Sequence, residues 1–278
     1  MTPLPVQRPH RIAADPGRLR VAMVEGQSTI IGAGAGDPLK LITTRPRGVA
    51  AWAWVATYGG GLLAGDRTDL EVEVGAGARL VLATQATTKV YRSDDGATAA
   101  QHLRARVGAG GLLAWIADPV CPFAGARSLA ATTVDLEPGA GLVWLDALTA
   151  GRQARDERWA FTAHRSRLAV DRAGAPLLRD ALELAPPAAS LAPWGAVATL
   201  VVMGEPVAEW AADLHRSLGE RAAEPDRELL VASTPLPRCP GTLVRIAARQ
   251  WEQAEHWIHA HIAPLADLVG GAPWLRRP

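Results

Sequence analysis

EVEVGAGARLVL, residues 71–82, decides the fold. Its first part alternates: Glu71 and Glu73 point one way, Val72 and Val74 the other, which is the period of a half-buried strand. A glycine turn follows, and then an apolar run suited to a strand covered on both faces. The same order returns in RARVGAGGLLAW (104–115) and TVDLEPGAGLVW (133–144). Val74, Val107 and Leu136 hold one register, 33 and then 29 residues apart. The turn glycines Gly77, Gly110 and Gly139 suit positive φ. Three such units in a row predict stacked layers, each burying its apolar strand against the next. A plain meander with tight turns would read the same way.

Outward from this repeat, the first 190 residues read as strands and turns. WAWVATY (52–58) puts Trp52, Trp54 and Tyr58 on one face, and TDLEVEV (68–74) alternates throughout. The tail differs. AVATLVVM (196–203) is a strand, and EPVAEWAADLHRSL (205–218) has helical spacing with Pro206 in its first turn. RELLVAS and GTLVRIAA are two more strands, and QWEQAEHWIHAHIA (250–263) is a second helix ended near Pro264. The expected class is mainly β, a stacked, β-helix-like sheet scaffold with about two α-helices in the C-terminal third. One domain over 1–278 is expected, β-rich over 20–190, with a strand–helix–strand–strand–helix tail over 196–270.

The 278 residues carry a net charge of +1, so no basic surface announces nucleic acid or membrane. Lys40 and Lys89 are the only lysines; the arginine excess, with abundant alanine and proline, fits a GC-rich genome. Cys121 and Cys239 make no disulfide scaffold. No signal-peptide pattern opens the chain and no apolar run reaches the roughly 20 residues of a spanning helix, so a cytoplasmic location is the expectation.

Motifs for phosphate or nucleophilic chemistry are absent. IGAGAGD (31–37) lacks the dinucleotide spacing and reads as a loop; GxxxxGK[ST], GxSxG, HExxH and CxxC do not occur. Among His256, His259 and His261, only His256 and His259 are neighbours on the polar face of the last helix. They could share an ion, against a solvated-helix reading. TYGGGLLAGD (57–66) needs its glycines for unusual turns, with Asp66 able to tie the freed amides. In DPVCPFAGAR (118–127), Phe123 packs inward or meets a partner, and Arg127 suits a carboxylate. GRQARDERW (151–159) reads by composition as a solvated charged loop. TQATTKVYRS (84–93), read as one strand, sets Gln85, Thr87, Lys89, Tyr91 and Ser93 in a single polar row. Burying that row dry would cost about 1–3 kcal/mol for each unpaired group. It should therefore be paired, wet or covered by a polar partner.

PLKL (38–41), TYGGGLLAGD, VGAGARLVLATQATTKVYRS (74–93), DPVCPFAGAR and the GRxARxExW pattern at 151–159 resemble, in order and spacing, the urease accessory protein D family, called UreH in some bacteria. The closing PWLRR (273–277) fits more loosely. The resemblance implies a non-catalytic β-rich scaffold that binds accessory protein F, through it the GTPase accessory protein G, and urease apoprotein. It implies that no cofactor is held permanently and that nickel passes in transit through a water-filled interior. The expected partner or passage residues are Gly59, Gly60, Gly61, Asp66, Gln85, Thr87, Lys89, Tyr91, Arg92, Ser93, Asp118, Phe123, Arg127, Arg152 and Glu157. Transient nickel contacts are expected among Asp66, Asp118, Asp146 and Glu157, more weakly at His256 and His259; structural hydrogen bonding is the alternative for the acids. Two other classes compete. A β-rich hydrolase would use a carboxylate pair, Asp66 with Asp118 or Asp146 with Glu157. A polysaccharide-binding module would expose a row of its ten tryptophans.

Overall fold

The computed structural model describes residues 15–44, 48–185, 191–219, 227–272 and 274. PWLRR, apart from Trp274, lies outside the described residues.

Two sheets face each other. The first holds, in spatial order, β14 (Ala175–Leu184), β13 (Ala163–Arg172), β11 (Arg127–Leu136), β8 (Ala99–Val107), β5 (Arg67–Val74), β1 (Gly17–Val24) and β2 (Gln27–Gly34). The second runs β16 (Leu229–Pro235), β17 (Gly241–Ala248), β15 (Ala196–Gly204), β12 (Gly141–Thr149), β9 (Leu112–Ile116), β6 (Arg79–Thr84), β4 (Ala51–Thr57) and β3 (Leu39–Thr43). Short β7 (Thr88–Val90) and β10 (Val120–Pro122) attach at its side.

From β5 to β13 the chain passes back and forth between the sheets, one strand further each time. β5, β8, β11 and β13 are mutually parallel, as are β6, β9 and β12. This is the stacked, solenoid-like arrangement that the repeat predicts. Val74 pairs with Val107, and Val107 with Leu136, and all three are fully buried. Burial of each contributes about 1.5–3 kcal/mol. In the facing sheet Leu80, Leu113 and Leu142 make the matching row. Trp115 and Trp144, opposite each other in register, stack at 5.3 Å. Gly77, Gly110 and Gly139 have φ of 67°, 67° and 75°. The turns stack too: the Gly77 N–H donates to Ala109 O at 2.9 Å.

The outer face of the second sheet carries α1 (Ala208–Leu218), α2 (Trp251–His261) and α3 (Pro264–Val269), which close a second core over Trp52, Trp54, Val81 and Val143. The expected two helices are present and a third follows. Pro264, read as a stop, begins α3, because a proline missing its N–H fits a helix's first turn. Tyr58 leaves the face of Trp52 and Trp54 for a 3-10 turn and is exposed. The outer face of the first sheet alternates charges, with Arg18–Glu71 and Arg20–Glu73 pairs at 3.3 and 3.0 Å.

The reading of residues 84–93 as one strand is corrected. β6 ends at Thr84, residues 85–87 bend away, and only Thr88–Val90 re-enter a sheet. The residue types favour a strand, but the partners change. β6 pairs with β4 and β9, whereas β7 pairs with β10. The single-sided polar row is therefore split, and Gln85, Lys89 and Arg92 are exposed.

Candidate functional site

Four segments far apart in sequence meet at one end of the stack. The first is the glycine loop after β4. Gly59 and Gly60 have φ of 77° and 70°, and a Cβ on Gly61 would stand 2.6 Å from Lys89 O and 2.8 Å from the Tyr91 ring. Only glycine admits that approach. The Leu62 N–H donates to Lys89 O at 2.8 Å, and the Tyr91 N–H returns to Leu62 O at 2.9 Å. Asp66 ties the loop from behind, its Oδ2 accepting the Leu63 N–H at 2.9 Å.

The third segment lies along the second. Val120, Cys121 and Pro122 pair with Thr88, Lys89 and Val90. The Phe123 N–H reaches Val90 O at 2.9 Å and the Ser93 N–H reaches Gly125 O at 3.1 Å. Tyr91 meets Phe123 edge-on at 5.2 Å. The fourth segment covers this pair. The Arg152 guanidinium sits 4.2 Å over the Phe123 ring, a favourable cation–π placement. Arg152 also forks onto Glu157, with Nε to Oε2 at 2.9 Å, and Glu157 Oε2 accepts the Ala124 N–H at 3.1 Å. The Arg152 hydrogen bond holds the Glu157 carboxyl below the usual range. Residues 151–159 are thus not simply the solvated loop that composition suggests. Arg127, the first residue of β11, has no carboxylate partner among the described residues.

Behind this end, the space between the sheets turns polar. The main core fills the glycine-turn side, and a smaller one around Leu62, Val90, Leu148 and Phe161 closes the motif side. Between them stand Thr68, Thr84, Asp118, Thr132, Asp146, Ser166 and Thr199. Thr84 Oγ1 donates to Asp118 Oδ2 at 2.9 Å and accepts the Asp118 N–H at 2.7 Å. Ser166 Oγ bonds Asp146 Oδ2. Arg245 holds Thr199 Oγ1 at 2.5 Å and pairs with Asp180. His164 Nδ1 lies 2.8 Å from Ser128 Oγ, and burial pushes its imidazole down to about 4.

Two cavities occupy this layer. One of about 70 Å³ touches Thr84, Asp118, Thr132 and Asp146. The other, about 420 Å³, touches Asp146, His164, Thr199 and Arg245 among apolar walls. Asp146 borders both. It is half-buried. Burial, foremost, raises its pKa, opposed by the Ser166 hydrogen bond and by Arg245, with Asp180 adding to the rise. Asp118 also borders a space of about 20 Å³ beneath α2, with Glu255, His259 and Trp274.

Of the four acids expected to meet nickel, then, Asp118 and Asp146 face cavities, whereas Asp66 and Glu157 hold loops. His256 is exposed and His259 stacks on Trp274 at 5.4 Å. Among the described residues no three His, Cys, Asp or Glu side chains are grouped to hold a metal ion. All ten tryptophans are buried or half-buried, which removes the stacking row that a polysaccharide module needs. Sequence reasoning missed Ser166, Asp180, Thr199 and Arg245. For Thr199 and Arg245 the only signal was a polar residue inside an apolar run, AVATLVVM and GTLVRIAA.

Comparison with known proteins agrees with the motifs. The family described as UreD urease accessory protein matches residues 15–277. A urease accessory protein UreD of Anaeromyxobacter sp. (strain Fw109-5) is 44% identical over 272 residues, 96% of this chain and 91% of that protein. One of Sorangium cellulosum (strain So ce56) is 41% identical over 268 residues, covering 95% and 84%. The urease accessory protein D of Oryza sativa subsp. indica is 30% identical over 293 residues, covering 94% and 96%. With these matches spanning nearly the whole chain, this protein belongs to the UreD family of urease accessory proteins.

Proposed function

We propose that this chain is a non-catalytic scaffold of urease maturation in the cytoplasm. It docks on urease apoprotein, engages accessory protein F and through it the GTPase accessory protein G, and offers nickel a hydrated route through its interior. The observation that carries the reading is the polar layer between the sheets, where two cavities meet at Asp146. An ordinary sandwich fills that space with apolar side chains, because each unpaired buried polar group costs about 1–3 kcal/mol. Water needs about 30 Å³ per molecule and several polar partners, and both cavities supply them. Hydroxyls and single carboxylates hold nickel, a borderline ion that imidazole suits better, only weakly, and weak holding is what a transit route needs.

The converging motif end is the proposed docking surface. Its backbone is fixed by the Leu62–Lys89 and Tyr91–Phe123 contacts, while Tyr58, Leu63 and Lys89 remain exposed. A hydrolase reading is weaker, since Asp66 and Glu157, one member of each proposed carboxylate pair, are committed to loop contacts.

Gene deletion with complementation tests the reading. Deletion should abolish urease activity and the wild-type gene should restore it. Asp146→Ala should restore capture of urease by the accessory proteins but not the nickel content of urease. Undiminished urease activity in the deletion strain would contradict the proposal.

A further inference from the structure

β14 and β17 each turn one charge inward. In β14, Asp180, Leu182 and Leu184 share the inner face, in register with Leu168, Ser166 and His164 of β13. In β17, Leu243 and Arg245 share it. The two charges meet across the gap between the sheets, where Arg245 pairs with Asp180. The Asp180 side chain is 16% exposed and that of Arg245 45%. Two apolar side chains would fill the same place without the cost of desolvating ions, so packing is a poor reason for the pair.

Arg245 also stands near the acid that the two cavities share. Asp146, Thr199 and Arg245 are successive members of one cross-strand row on β12, β15 and β17, and all three line the larger cavity. At about 4.8 Å per strand, Asp146 and Arg245 are about 10 Å apart at the backbone. An arginine and an aspartate side chain close that span between them, over the threonine. Yet the guanidinium is turned the other way. Its Nη1 donates to Thr199 Oγ1 at 2.5 Å and its Nη2 to Asp180, whereas Asp146 takes the Ser166 hydroxyl. The charge on Arg245 still reaches Asp146, where it opposes the rise in pKa that burial and Asp180 cause.

We propose that Asp180 is a positioning residue that holds the Arg245 guanidinium off Asp146, so that the Asp146 carboxylate stays open to a passing divalent cation. The proposal rests on the interior route above and adds the charge control that such a route requires. A guanidinium stays protonated and forks readily onto a carboxylate. With Asp180 in place, the charges of the pair cancel, and Asp146 is the carboxylate left to the larger cavity among the described residues lining it. With Asp180 neutralised, the guanidinium turns to Asp146. It then fills the place of the cation and repels its charge.

The test measures the nickel content of urease matured in cells by the full chain carrying each variant, with capture of urease apoprotein as the check on folding. Asp180→Asn should lower the nickel content several-fold with capture unchanged. Adding Arg245→Met to Asp180→Asn should recover most of that loss, because no guanidinium is left to turn. A crystal structure of Asp180→Asn should place the guanidinium on Asp146; a guanidinium turned to solvent overturns the proposal. Asp180→Asn that loads urease like the parent overturns it too. So does a double variant that loads no better than Asp180→Asn, or a loss of capture that parallels the loss of nickel, either of which marks the pair as structural. Asp146→Ala, run alongside, separates this inference from the reading beneath it. If Asp146→Ala also loads urease like the parent, the interior route itself fails; if only Asp180→Asn does, the route stands and this inference falls.

Discussion

Thr84 and Asp118 are joined twice: the threonine hydroxyl donates to the carboxylate at 2.9 Å and accepts the aspartate's own N–H at 2.7 Å. Thr84 ends β6, and Asp118 follows β9 in the neighbouring coil. The clasp holds two successive layers together where the apolar core gives way to the polar cavity.

Thr84→Val keeps the shape and removes both bonds. The loss should be about 1–3 kcal/mol, read as a lower denaturation midpoint, while Thr84→Ser should stay close to the parent. Equal midpoints for all three would show that the clasp contributes nothing.

Gly61→Ala places a methyl against Lys89 O and the Tyr91 ring. Overpacking of this kind costs about 1–3 kcal/mol, so the melting temperature should fall by several degrees. Because Gly61 lies at the motif end, partner capture should weaken too. An unshifted melt would mean that the loop yields freely.

His164 supplies a pH signature. The unfolded imidazole takes up a proton near pH 6.5, whereas the buried one waits until about 4. Between those values the unfolded chain binds more protons, so acidification destabilises the fold, by at most about 3 kcal/mol from this group. Urea titrations at pH 7 and pH 4 should show a smaller acid loss for His164→Gln than for the parent. Identical losses would contradict the buried neutral imidazole.

Asp146 has the opposite sign. Its pKa is raised in the fold, so the carboxyl's contribution is full at acid pH and is lost as pH rises through the folded value. Asp146→Asn should therefore be more stable than the parent at neutral pH, with the advantage vanishing in acid, and yet should fail to load urease. Gaining stability while losing function would mark the residue as kept for something other than folding.

The stacked register was readable because its signals are local. Alternation places Val74, Val107 and Leu136, and the glycine turns set the crossing points. Asp146 was readable too, since its parity with Leu142 and Trp144 sends it inward. The break at residues 85–87 was not, because strand propensity persists there and only the change of partner from β9 to β10 ends the strand. Nor could the polar layer be assembled in advance. Ser166, Asp180, Thr199 and Arg245 come from four different strands, and which of them stand side by side depends on a topology that no single segment encodes. Arg152 and Glu157 misled by composition: a charged run became an internal ion pair over Phe123 because DPVCPFAGAR lies beneath it.

The most direct test of the interior route is a plug. Thr132 lines the smaller cavity and sits in register between Leu103 and Leu168, so Thr132→Leu fits its row while filling the space and removing a hydroxyl. The nickel content of urease matured with this variant is the measurement. The account predicts a fall of several-fold with partner binding and thermal stability intact; urease loaded as fully as with the parent would contradict it.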